Sequence, residues 1–140
     1  MSDEKRIDEL FWKGVDLFNS GDFYDAHEEW EELWSEFNLP DRFFIQGLIQ
    51  TTVSFYHLST ANLKGARNLM GRALDKLTRK GPDGGRWQSQ QRGVETSIFI
   101  DSIERCGEKM MTIKSSEDFD WSLVPNLLPS RNIINAKNNP

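Results

Sequence analysis

The chain has 140 residues, a formal net charge of -5, a single cysteine, and a hydrophobic fraction of 37% that includes nine Phe and five Trp. A chain of this length suits one domain, here 1–140, burying roughly two thirds of its unfolded surface. The negative charge argues against the basic patch that nucleic-acid binding requires. The lone Cys106 rules out an intrachain disulfide or a cysteine-paired zinc or redox motif, which makes a reducing cytoplasm the expected compartment.

Met1 to Arg6 is charged, with neither the apolar run of a signal peptide nor the length of a membrane span, so no membrane association is expected. From Ile7 the apolar residues recur at helical spacing through Leu10, Phe11, Val15 and Phe18, until Asn19-Ser20-Gly21-Asp22 supplies a stop and a new cap. A second stripe runs through Phe23, Ala26, Trp30, Leu33, Trp34 and Phe37 and ends before Pro40, which disfavours helical geometry at Leu39. The third segment, 42–59, is apolar on nearly every side and reads as a central, buried helix. The fourth begins near Asn62 and closes at Arg79-Lys80 and Gly81-Pro82, with cations near its carbonyl end and a breaker beyond. Residues 81–93 read as an exposed loop, 94–111 as a fifth helix, and 112–140 as an irregular tail. In that tail Phe119, Trp121, Leu123, Val124, Leu127 and Leu128 are expected to lie across the helices, with the last eight or so residues fraying.

An offset of 40 residues places Phe18 on Leu58, Asp22 on Asn62, Phe23 on Leu63, Ala26 on Ala66, Trp30 on Met70 and Phe37 on Leu77. Both halves therefore read as helix, polar turn, helix. The expected fold is all-α, a bundle of two stacked helix hairpins, similar in pattern to tetratricopeptide pairs, plus a fifth helix. The period exceeds the usual ~34 residues of that repeat.

The run Asp25-Ala26-His27-Glu28-Glu29-Trp30-Glu31-Glu32 carries the most distinctive chemistry. Residues four apart on a helix project within about 40° of one another, so His27 and Glu31 share a face, and His27 falls inside the apolar stripe. In the third segment Gln46, Gln50 and His57 follow a second polar line among apolar neighbours. Buried amides and imidazoles need partners, since an unpaired one costs on the order of 1 to 3 kcal/mol. The expectation is a polar network in which His27, Glu28 or Glu31 meets Gln46, Gln50 or His57 between helices two and three. Arg67, the repeat equivalent of His27, is its cationic candidate. Glu29 and Glu32 are expected to face outward.

Three roles for that network remain open: a satisfied core network that sets helix register, a pocket for a small polar or anionic ligand, or a divalent-metal site using His27, Glu31 and His57. The zinc-protease pattern requires a second His where Glu31 stands. Gly81-Pro82-Asp83-Gly84-Gly85 follows a helix instead of opening one after a strand, so it reads as a turn and not as a phosphate loop. Cys106 has only Arg105 as an adjacent cation and reads as a buried, idle thiol.

Three stretches resemble the all-helical family known as domain of unknown function 309: Phe18 to Trp34 with its Ala26-His27-Glu28, then Gln46-Gly47-Leu48-Ile49-Gln50 and Tyr56-His57-Leu58, and finally Gly65-Ala66-Arg67. The resemblance spans residues 7–77 and implies a fold with no established activity. The family's polar signature maps onto His27, Glu28, Glu31, Gln46, Gln50 and His57. Two functions follow as expectations. One is a noncatalytic module that binds a partner protein or self-associates, with Trp12 or Trp87 as an anchor. The other is a small-ligand or metal-binding protein, a hydrolase among the options, that uses the polar residues.

Overall fold

The computed structural model of the chain describes residues 2–79 and 90–130. Ser2 accepts the Lys5 N–H and opens α1, Asp3–Asn19, a turn before the apolar stripe begins. The Phe23 stripe becomes α2, Phe23–Glu36, and the apolar third segment becomes α3, Arg42–Ser59. Asn62 accepts the Gly65 N–H and caps α4, Leu63–Leu77. A fifth helix, α5, covers Thr96–Thr112, and two single 3-10 turns follow at Ser116–Asp118 and Trp121–Leu123. The chain is all-α, as its periodicity predicts, and α1 to α5 pack in sequence order with α3 against α4 the most extensive seam.

The internal repeat is built into the backbone. In the first turn the Asp22 N–H reaches back to the Leu17 carbonyl across Gly21, whose φ is 84°. Forty residues on, the Asn62 N–H reaches the His57 carbonyl across Ala61, whose φ is 64°. Both are the same left-handed helix ending, in which a six-residue backbone bond satisfies a carbonyl that the helix leaves open. Ala26 and Ala66 are both fully buried at matched positions, as are Trp30 and Met70. The likeness to tetratricopeptide hairpins remains one of sequence pattern.

Aromatic rings fill the centre. Phe18 of α1 meets Phe23 and Trp30 of α2, Phe55 of α3 and Phe99 of α5 at centroid separations of 5.4 to 6.2 Å. Trp30 donates its indole N–H to the Phe11 carbonyl at 3.0 Å and lies over Gly14, where any Cβ would meet the indole nitrogen at 2.1 Å. At that crossing only a glycine lets α1 and α2 approach this closely. The buried hydroxyls of α3 are bonded to backbone: Thr51 to Gly47, Thr52 to Ile49, and Ser54 to Ala66 of α4.

Several expectations need correction. α3 is not buried all round, since Phe43 and Tyr56 are exposed on one side of it. The segment before α5 is not wholly loop: Gln90–Gln91 and Val94–Glu95 form a short antiparallel hairpin, β1 and β2, turned by Arg92 and Gly93 at positive φ. Two positive φ values in a two-residue connection match the twist of paired strands. The Arg92 guanidinium forks onto the buried Asp41 carboxylate ahead of α3, and the tail adds to the hairpin through a Val94–Pro129 bridge. Of the tail's apolar residues, Phe119 and Leu127 are buried, whereas Trp121 and Leu128 are exposed. Glu29 and Glu32 do not simply face water. They bind Lys13 at 3.1 Å and Arg6 at 2.8 Å on α1, because that flank of α2 faces its hairpin partner. Trp12 is half-buried with its ring edge-on to Phe11. Trp87 and the 81–85 run lie outside the described residues, as does the end of the tail from 131.

Candidate functional site

α2 places His27, Glu31 and Trp34 on the flank that faces α3, one helical turn apart, while α3 contributes Gln46, Ile49, Gln50 and Val53 from the opposite wall. With Leu69 of α4 they line a groove of about 190 Å³. The sequence-selected residues His27, Glu31, Gln46 and Gln50 thus meet in one place.

The bonding inside the groove differs from the network that the sequence suggests. His27 pairs within its own helix, Nε2 to Glu31 Oε2 at 2.6 Å, and its Nδ1 lies 3.3 Å from the Tyr24 carbonyl. Among the described residues, two buried polar atoms of groove-lining side chains have no hydrogen-bond partner, the Trp34 indole Nε1 and the Gln50 Oε1. One is a donor and the other an acceptor, and each would be satisfied by a group bringing the complementary function. The indole plane of Trp34 is itself held by Arg42, whose guanidinium sits 4.4 Å from the ring centroid. Trp34 was legible in the sequence as part of the α2 stripe. Its unpaired N–H became visible only with the packing.

The remaining candidates separate from this groove. His57 lies one step along α3, where with Tyr24, His27, Val53 and Tyr56 it lines a second concavity, and its Nδ1 is 3.3 Å from the Asn62 side-chain amide. Glu28 is exposed, and its carboxylate beside Tyr24 holds the Tyr24 pKa above its ordinary value. Arg67 does not enter the network. It donates from Nε to the Met110 carbonyl at 2.7 Å and from a terminal nitrogen to the Ile113 carbonyl at 2.6 Å, closing the end of α5. The repeat equivalence with His27 fails here because α2 packs against α3 on this flank whereas α4 packs against α5. The metal trio His27, Glu31 and His57 is likewise not assembled. Among the described residues no group of three or more His, Cys, Asp or Glu side chains could hold a metal ion. Cys106 is buried, its thiol is pushed up to about 11 by that burial against a small opposing effect of Arg105, and it faces the Leu123 carbonyl. A thiol so placed is a poor nucleophile at neutral pH.

A third concavity, of about 450 Å³, lies at the start of α2, lined by Gly21, Asp22, Phe23, Tyr24, Asp25, Tyr56, Ser59 and Trp121. It shares Tyr24 and Tyr56 with the second, which shares His27 and Val53 with the first. The three thus adjoin one another along the α2–α3 seam, and sequence reasoning missed the aromatic one. Tyr24, Tyr56 and Trp121 come from three elements, so no single periodicity joins them.

These features define a class: an all-α domain of two repeated hairpins with adjoining polar and aromatic concavities along the seam between its second and third helices. Residues 11–69 match the model of the family described as Domain of unknown function (DUF309), which bears out the resemblance read from the sequence over the stretch from α1 into α4. No curated protein matches the chain. Among the described residues no helix is long and apolar enough to cross a membrane.

Proposed function

We propose that this protein is a noncatalytic helical module that binds a partner polypeptide along the α2–α3 seam. The observation that carries the reading is the row of three adjoining concavities, with the unpaired Trp34 N–H and Gln50 carbonyl beside the first and exposed aromatic rings around the last. A polypeptide offers what those two atoms need, a carbonyl acceptor and an amide donor, at spacing that a backbone or an amide side chain supplies. The groove's volume lies below the ~300–1,000 Å³ typical of pockets for drug-sized ligands, which favours an inserted side chain over a free cofactor. α2 extends about 21 Å at 1.5 Å per residue, long enough to run beside about six residues of extended chain. The buried thiol of Cys106 suits a reducing, cytoplasmic setting.

Affinity capture from lysate of the source cells, read by quantitative mass spectrometry, tests this. Trp34→Phe keeps an aromatic ring and removes the donor, and Gln50→Leu removes the acceptor. Each is expected to deplete the same captured protein by about tenfold, the order of one buried hydrogen bond, while the melting temperature holds or rises. A capture profile indifferent to both substitutions sinks the reading. A second reading, a small polar ligand in the same groove, is favoured by the same two unpaired atoms. It predicts a low-mass adduct of constant mass in native mass spectrometry, lost in both variants.

A further inference from the structure

We propose that the concavity at the start of α2 is the seat of an arginine side chain from the partner polypeptide. The inference rests on the interaction-module reading and names the chemistry that this module recognises. Tyr24 and Tyr56 stand 5.4 Å apart between centroids, and Trp121 stacks on Phe23 at 6.1 Å with an interplanar angle of 22°. Tyr24, Tyr56 and Trp121 are nonetheless 50%, 38% and 40% exposed, large for rings that already have aromatic neighbours. Aromatic rings bordering a concavity attract a cation through their quadrupoles.

The charges around the concavity agree. Among the described residues its charged walls are two carboxylates, Asp22 and Asp25, and none of its lining residues is a Lys, Arg or His. Glu28 adds a third carboxylate beside Tyr24, where its charge raises the Tyr24 pKa. Asp22 accepts from the Ser20 hydroxyl at 3.0 Å and makes no side-chain bond to the first turn of α2. The start of α2 contributes roughly half a positive charge, but the end of α3 at Ser59 lines the same space and contributes roughly half a negative one. The helix ends offset each other, and the carboxylates decide the sign. A planar guanidinium stacks on a ring and forks onto a carboxylate at once, which an ammonium does not.

The test titrates N-acetyl-arginine amide into the full chain and follows the backbone amides of Gly21 to Asp25 and the Trp121 indole by NMR. N-acetyl-citrulline amide, the same shape without the charge, serves as comparator. Arginine is expected to shift those signals saturably, with citrulline weaker by about fivefold or more. Asp25→Asn, at an exposed site, is expected to bring arginine down towards citrulline, and Asp22→Asn, which leaves a residue suited to the N-cap position, to do so in part. Equal shifts from both compounds, or an arginine response unchanged in Asp25→Asn, overturn the assignment. If arginine fails in this way while Trp34→Phe still loses the captured protein, the module reading stands and the arginine seat falls. If capture is indifferent to Trp34→Phe and Gln50→Leu, the module reading itself has failed, and the seat as a partner site falls with it.

Discussion

Ala61 holds a left-handed backbone, φ 64°, at the turn where its repeat counterpart is Gly21, and it is exposed with no packing to lose. An alanine in that region is strained by its Cβ, whereas glycine is not. Ala61→Gly is therefore expected to stabilise the protein by about 0.5–1 kcal/mol, net of the greater freedom glycine gives the unfolded chain. Urea unfolding followed by circular dichroism would show a raised midpoint with an unchanged slope. A lowered midpoint would mean that the turn is not held as described. The same scale separates the site residues. His27, Glu31, Gln46 and Gln50 were legible because helical spacing put polar groups in apolar stripes, yet which atom bonds to which was not. His27 has a carboxylate one turn away on its own helix, and a local partner at fixed spacing wins over one across a seam.

At the scale of elements, Arg67 shows how a residue chosen by repeat symmetry is reassigned by its neighbours. Its two charge-assisted bonds satisfy the Met110 and Ile113 carbonyls at the end of α5, where a helix leaves such groups open. Arg67→Met keeps an apolar stem and deletes both bonds, so a loss of about 1.5–3 kcal/mol is expected. Hydrogen exchange should locate it, with amides of the last turn of α5 and residues 113–116 losing protection first. Unchanged exchange there would refute the assignment. The helices α1 to α4 were readable in order because each stripe ends in a cap or breaker. The hairpin β1–β2 was not, since two-residue strands are too short for a period of two to register.

Over the whole molecule, the tail is fastened far from where its sequence begins. Asn19, at the end of α1, donates to the Leu127 carbonyl at 3.0 Å and accepts the Leu127 N–H at 2.8 Å, pairing with that residue as a neighbouring strand would. Leu127 is fully buried, and the tail continues along the hairpin, with Leu128 accepting from Glu95 of β2 and Ser130 donating to Gly93 of its turn. Asn19→Ala removes both bonds and is expected to cost about 1–3 kcal/mol. Limited proteolysis should then cut between Phe119 and Leu127 sooner than in the wild type, while helical circular dichroism persists. Cleavage at the wild-type rate would show that apolar burial alone holds the strap.

Local pattern was enough to determine that the chain is all-α, that its first four helices form two copies of one hairpin, and that His27, Glu31, Gln46 and Gln50 carry polar groups on the stripes that meet at the α2–α3 seam. Helix period, caps and breakers act over a few residues, so they are written in order along the chain. Tertiary packing alone decided that Arg67 serves α5, that the Trp34 N–H and Gln50 carbonyl are left unpaired, and that Trp121 joins Tyr24 and Tyr56 at an acidic rim. Each of those outcomes depends on which surfaces meet, and contact between residues tens of positions apart leaves no periodic trace in either segment.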